Sequence, residues 1–291
     1  MTLLNEVRAE PLRDEAKLAV LLTSGGQRVS LVHSLRTVGE ALGLKVRVIA
    51  CDRSPRSRPA CLVADAAYQT NDPFDANYVN SILEICVIHR VRLIIPTDSA
   101  ENLVLSQNRD RFHQLGVSIA ASGPELAELA SNPLQVQTFT NELLELYDIP
   151  RVGAGEVQEV DRRFEVLMYF DCGGELRTVV PCERLIQEGI EHLITRHSPC
   201  MEELAARIAE RLDEPRSVIS FDARLGRDGT IEVEALRAHF GETFEIAHLA
   251  GAQVIRWLLN EHCFGEAAPA ADWQEGVEMF RYEASMFVLP R

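Results

Sequence analysis

The sequence predicts an α/β fold, with a parallel-sheet N-terminal domain joined to a smaller α+β part built on β-hairpins. Three observations carry it. Near the amino end an apolar strand, a glycine turn, an amphipathic helix and a second apolar strand follow one another, which is how a doubly wound sheet begins. A third apolar strand, Val91 to Ile95, ends in a polar run. Beyond Ser217, two β-branched runs flank a short glycine-containing turn, a hairpin signal. The 291 residues suffice for two modest domains with a real core.

Residues 1–17 read as a polar N-terminal tail, neither signal peptide nor membrane span. Leu18 to Thr23 is the first strand. It enters the turn Ser24-Gly25-Gly26-Gln27 and a helix to about Leu42. The second strand, Lys45 to Ala50, ends at Cys51-Asp52. A glycine turn before a helix can cradle an anion, although Gly-x-Gly-x-x-Gly is absent. Asp52 can bond a ribose or simply cap the next turn. A helix near 76–89 follows, with Asp75 as its cap.

The third strand runs into Pro96-Thr97-Asp98-Ser99-Ala100-Glu101. Open parallel sheets place ligands beyond the carboxyl ends of their strands. Thr23, Ser24, Gly25, Gly26, Asp52, Thr97, Asp98 and Glu101 are therefore the candidate cofactor- or ligand-binding set. Asp98 and Glu101 also fit a capping box on the next helix. That helix runs to Leu115, Val117 to Ala120 is a fourth strand, and Ser122-Gly123-Pro124 opens another helix. Further on, Phe164 to Phe170 and Leu176 to Val180 form a hairpin about Asp171-Cys172-Gly173-Gly174. Ser198 to Leu212 is an amphipathic helix with Met201, Leu204, Ile208 and Leu212 on one stripe.

In the second hairpin, Glu232 and Glu234 share one strand face. Asp222 stands near the same level on the partner strand, and one register slip moves it to the other face. Three gathered carboxylates need a cation, a proton or an arginine, and magnesium prefers such oxygen ligands. A solvated strand face fits the same spacing. A helix from Ala252 to Asn260 and an apolar, strand-like 284–289 close the chain, the latter suited to a sheet edge or an interface.

Composition narrows the function. A net charge of −15 argues against binding a phosphate backbone. The seven cysteines are odd in number and form no Cys-x-x-Cys, so free thiols in a reducing cytoplasm fit better than disulfides or structural zinc. The histidines show no metal spacing, and no Gly-x-Ser-x-Gly is present. The only lysines are Lys17 and Lys45, so lysine-dependent chemistry has nothing to draw on after residue 45.

The first half resembles the domain that precedes the ATP-grasp domain in carbamoyl-phosphate synthase large-subunit-like proteins. The matching stretches are Leu-Leu-Thr-Ser-Gly-Gly at 21–26, Ala64-Asp65 with Tyr68, Ile94-Ile95-Pro96-Thr97-Asp98, Asn108-Arg109-Asp110-Arg111-Phe112, Ser131-Asn132 and Asp148-Ile149-Pro150. The later hairpin resembles, in degraded form, the metal-binding hairpin of the ATP-grasp superfamily: an acid, an Asp-Gly turn, then Glu-x-Asn-x-Arg. In one register Glu234 is the glutamate and Leu236 replaces the asparagine. In the other Glu232 is the glutamate and Glu234 replaces the asparagine. Pro181-Cys182-Glu183-Arg184-Leu185 resembles the family's Pro-Arg-x-Arg. Phe164 to Phe170 already resembles the strand that follows the nucleotide-clamp subdomain, so that subdomain, with its lysines and glycine-rich lid, looks deleted after Pro150. Where the family has Asp-Lys, this chain has Asn132-Pro133.

The resemblance implies a pre-ATP-grasp, Rossmann-like domain at 18–130, a linker helix and connector at 131–163, a truncated ATP-grasp lobe at 164–266 and a tail at 267–291. It implies metal ligands Asp222, Glu232 and Glu234, catalytic cations Arg184 and Arg237, and ATP with Mg2+ as cofactors, weakly held or lost. Three functions are expected of such a chain. One is a degenerate, non-catalytic binding or partner subunit. Another is an ADP-forming carboxylate–amine ligase, working through an acyl phosphate, with an unusual or partner-completed site. The third is a small-molecule sensor using the N-terminal crevice. A cytoplasmic homo- or hetero-oligomer that binds neither nucleic acid nor membrane fits all three.

Overall fold

A computed structural model describes residues 17–147, 149, 161–187, 189–241, 243–282 and 285–286. The first part runs β1 (Lys17–Thr23), α1 (Val29–Ala41), β2 (Lys45–Asp52), α2 (Pro59–Val63), β3 (Ala66–Gln69), α3 (Tyr78–His89), β4 (Leu93–Pro96), α4 (Ser99–Gln107), α5 (Arg109–His113), β5 (Ser118–Ile119), α6 (Pro124–Ser131) and α7 (Pro133–Leu146). Its five strands form one parallel sheet ordered β3-β2-β1-β4-β5. Strands buried on both faces must be apolar throughout, and Leu18, Val20, Leu21, Leu22, Leu93, Ile94 and Ile95 are almost wholly buried. The order reverses between β1 and β4, so the carboxyl ends at Thr23 and Pro96, paired in register, flank the switch point.

Several boundaries differ from the sequence expectation. Tyr68 lies in a strand, β3, which the sequence reading passed over. The helix expected to reach Leu115 breaks at Asn108 into α4 and α5. Asp75 does not cap α3. Its carboxylate accepts the Asn77 N–H in a turn ahead of the helix. Asp98 does cap α4, accepting the N–H groups of Ala100 and Glu101. Asn132 caps α7 through Leu134 and Gln135, with Pro133 in the first turn, so the pair that replaces Asp-Lys is itself a good helix start.

The second part runs β6 (Arg162–Phe170), β7 (Leu176–Gln187), β8 (Ile190–Thr195), α8 (Pro199–Arg211), β9 (Ser217–Leu225), β10 (Ile231–Arg237), α9 (Phe244–Leu249), α10 (Val254–Phe264) and β11 (Glu278–Phe280). The sheet is antiparallel, ordered β10-β9-β6-β7-β8-β11. Side chains alternate faces along its strands. Phe164, Val166, Met168, Ile219, Phe221, Ala223 and Leu225 face one core with α7 and with Met201, Leu204 and Ile208 of α8. Leu167, Tyr169, Val180, Cys182 and Val218 face the other core, which also holds α9, α10, α1 and the strands β1 and β4. The two sheets thus share a core. β8 and β11 were not anticipated. Of the expected strand at 284–289 only Ser285 and Met286 are described, and neither lies in a strand; residues 150–160 of the expected connector lie outside the described residues. No described helix is long and apolar enough to cross a membrane.

At Gly39, α1 lies so close to β2 that an added Cβ would overlap the Val46 side chain. Alanine improves helix propensity by about 1 kcal/mol, but overpacking costs about 1–3 kcal/mol, and the branched Val46 has little room to yield. Gly39→Ala is expected to lower stability by about 1 kcal/mol in urea unfolding, and Val46→Ala in that background to recover part of the loss. A Gly39→Ala chain as stable as the parent would show that the approach relaxes freely.

Candidate functional site

The crevice at the switch point is lined by Ser24, Gly26, Gln27, Arg28, Asp52, Arg53, Arg58, Thr97 and Asp98, and has a volume of about 430 Å3. Gly26 takes φ +49°, which suits a residue without Cβ. The Thr97 hydroxyl donates to the carbonyls of Thr23 and Ser24 at 3.0 and 2.8 Å and locks the two strand ends together. Asp52 is buried and accepts from the Ser54 N–H and Arg58 Nε. Asp98 is taken up by its cap. Glu101, expected as the distal half of a capping box, turns inward instead. It is 2% exposed, and its Oε2 makes no hydrogen bond within the protein. Burial pushes its pKa up to about 7, against opposing help from the Thr23, Tyr78 and Ser24 hydroxyls beside it.

Five of the eight expected ligand residues, Ser24, Gly26, Asp52, Thr97 and Asp98, therefore line this crevice. Glu101 and Thr23 lie beneath it. Gly25 packs against Ala50 and Ala60 just behind. The sequence reading missed Arg28, Arg53 and Arg58. The same carboxyl-end rule that selected Asp52 should have selected the cations immediately after it. Lys17 and Lys45 pair at the opposite, amino ends of β1 and β2, so neither reaches the crevice.

On the second sheet a β-bulge decides the chemistry. β10 pairs Glu232 with Arg224 and Val233 with Ala223, then skips, so that Ala235 faces Asp222 and Arg237 faces Ser220. Glu234 is the extra residue of the bulge. The three carboxylates expected to share a metal do not come together. Glu232 bonds Arg224 at 2.5 Å, Glu234 is exposed, and Asp222 holds the Arg237 guanidinium in a bidentate pair at 2.8 and 2.5 Å. Among the described residues no group of three or more His, Cys, Asp or Glu is placed to hold a metal ion. Magnesium does not fit this arrangement, because its place beside Asp222 is filled by a guanidinium.

The acid next to Asp222 is one the sequence reading missed. Glu165 of β6 pairs in register with Asp222. It accepts the Thr243 hydroxyl at 2.7 Å and lies 3.8 Å from Arg184. Burial and then the Asp222 charge raise its pKa, while Thr243, Arg237 and Arg184 oppose the rise. A single acid inside the apolar run Phe164 to Phe170 was the available signal. Arg184 also pairs with Glu191, while its neighbour Glu183 serves Arg162 and Arg196.

The crevice and the sheet face adjoin. His239, buried, shares a hydrogen bond with Ser99 at the start of α4. Burial drives its pKa down to about 4, with Asp98 opposing and Arg28 and Arg237 adding to the fall. Ser30 of α1 bonds Glu245 of α9. These two contacts join α1 and α4 beside the crevice to the second sheet's side of the molecule.

Residues 20–120 match a family model described as PylC-like, N-terminal domain. No curated protein matches the sequence. Among solved structures, N5-carboxyaminoimidazole synthetase from Staphylococcus aureus matches with TM-score 0.61 and 12% identity, over 88% of this chain and 80% of that one. The biotin carboxylase domain of Hydrogenobacter thermophilus 2-oxoglutarate carboxylase, a dimer in complex with MgADP, ADP and bicarbonate, matches with TM-score 0.60 and 12% identity, over 89% and 73%. Rhizobium etli pyruvate carboxylase matches with TM-score 0.58 and 14% identity, over 88% of this chain; this chain spans only 27% of that protein. At these identities the likeness shows the fold.

Proposed function

Since the chain has an ATP-grasp-like α/β fold and a PylC-like N-terminal domain, we propose that it is a degenerate member of that fold. On this reading it binds a small molecule or a partner without forming an acyl phosphate by itself. The observation that carries this is the Asp222–Arg237 pair. Phosphoryl transfer needs a metal to bridge phosphates and positioned cations to neutralise the transferring group. Here two of the hairpin carboxylates, Asp222 and Glu232, are already paired with the protein's own arginines. Two further observations support the reading. Only residues 147–161 separate α7 from β6, whereas even one βαβ unit takes roughly 30 residues or more. Both lysines sit at the far end of the N-terminal sheet.

The hydrogenobacterial relative was solved with MgADP, so nucleotide binding is the decisive test. Calorimetric titration of the purified chain with ATP is expected to give no magnesium-dependent binding up to millimolar nucleotide. Magnesium-dependent binding, with ADP release on adding a carboxylate and an amine, would replace this reading with that of an active ligase. A second reading, a small-molecule sensor, is favoured by the crevice, an open pocket of about 430 Å3 on which several polar groups converge.

A further inference from the structure

We propose that the crevice at the ends of β1, β2 and β4 binds a small metabolite through a terminal oxyanion, a carboxylate or a phosphate, with Arg58 as its principal anchor. This rests on the binding-protein reading and names its ligand chemistry.

The charge of the crevice is opposite to that of the chain. In a protein of net charge −15, three guanidinium groups, Arg28, Arg53 and Arg58, line one cavity with two carboxylates, Asp52 and Asp98. Both carboxylates are committed to donors of the protein itself. Asp98 accepts two α4 amides. Asp52 accepts the Ser54 amide and Arg58 Nε from a buried position. Neither is left to repel an anion at full strength, and neither is spare to recruit a cation.

Arg58 is held for the purpose. Its bond to Asp52, a buried carboxylate, uses Nε alone, at 3.2 Å, which restrains the guanidinium at its inner edge. Among the described residues no protein acceptor takes its two Nη groups, and the side chain is 43% exposed. A restrained guanidinium with both Nη groups available matches two oxygens of a carboxylate or phosphate, the geometry in which arginine binds oxyanions best. Arg53 is looser, 67% exposed and tied to Asp72 by one bond, so it contributes charge more than geometry. The cavity of about 430 Å3 holds a metabolite, not a bare ion.

The test uses the whole chain and matched probes: ribose 5-phosphate and glycerol 3-phosphate with ribose and glycerol as their neutral parents, and malate with its dimethyl ester. Binding is read by calorimetry and by thermal shift at two salt concentrations, in the parent, Arg58→Gln and Arg53→Gln. At least one oxyanion probe is expected to bind and its neutral parent not. Arg58→Gln is expected to weaken it more than about tenfold, since a charged hydrogen-bonded contact is lost, and Arg53→Gln less. An unchanged melting temperature for Arg58→Gln without ligand separates lost binding from lost folding. Preference for the phosphate esters or for malate identifies which oxyanion the crevice takes. Equal binding of neutral and charged probes, or binding indifferent to Arg58→Gln, overturns the proposal. So does binding of none of them, while the degenerate reading still stands or falls on the ATP titration alone.

Discussion

Glu101→Gln is expected to stabilise the chain by about 3 kcal/mol at pH 8 and by only about 1 kcal/mol at pH 5. The carboxyl is 2% exposed with one oxygen unbonded. Its pKa moves from an ordinary 4.5 to about 7, chiefly because burial disfavours the charge. A carboxyl raised on folding keeps a proton that the unfolded chain has given up. Its stability contribution is therefore intact below about pH 4.5 and is lost as pH rises through about 7. Glutamine fills the same space and never ionises, so it escapes the penalty that grows with pH. The buried histidines work the other way. His239 and His262, each held down at about 4 by burial, cost stability as pH falls below 6.5. For that reason the reading must be the difference between variant and parent in urea unfolding, which cancels them. A difference of the same size at pH 5 and pH 8 would show that Glu101 is already ionised in the fold.

How much of this was legible from the sequence depended on which force set each feature. The strands β1, β2 and β4, the hairpin β9–β10 and helix α8 followed from apolar periodicity and turn residues, because burial dictates both. The crevice followed from a topological rule, and Asp98 as a cap from local chemistry. Whether Asp222, Glu232 and Glu234 gather turned on one residue. A bulge at Glu234 is a backbone event with no residue signature of its own here, yet it reverses which side chains face Asp222. Glu101 was legible as a helix-start acid but not as a buried one, since the same pattern Asp98-x-x-Glu101 fits a solvated capping box. Whether it turns outward or inward is decided by the space left between Thr23 and Tyr78, elements far away in sequence. β3 and β11 escaped notice because strands of four and three residues carry too few positions to show a period.

Replacing Arg237 shows whether the arginine stands where a metal would. In Arg237→Met the Asp222 carboxylate loses its bidentate partner, and Glu165 loses one of the charges that hold its pKa down. Breaking a fully buried pair costs about 3–5 kcal/mol. Here the side chains are 33% and 23% exposed, and water screens part of the loss, so about 1–3 kcal/mol is expected in urea unfolding. The two acids, paired in register on β6 and β9, then face each other with no guanidinium on Asp222, and like charges at close range call for a cation or a proton. Magnesium at about 10 mM is therefore expected to raise the melting temperature of Arg237→Met by a few degrees, following mass action on a site that only the folded chain offers. The parent should not respond. Arg237→Lys, which keeps the charge but not the fork, should lose part of the stability and remain indifferent to magnesium. If Arg237→Met is as blind to magnesium as the parent, Asp222 and Glu165 are not a concealed cation site. Arg237 is then an ordinary cross-strand ion pair, and the degenerate reading would have to rest on the missing lysines and the short connection between α7 and β6.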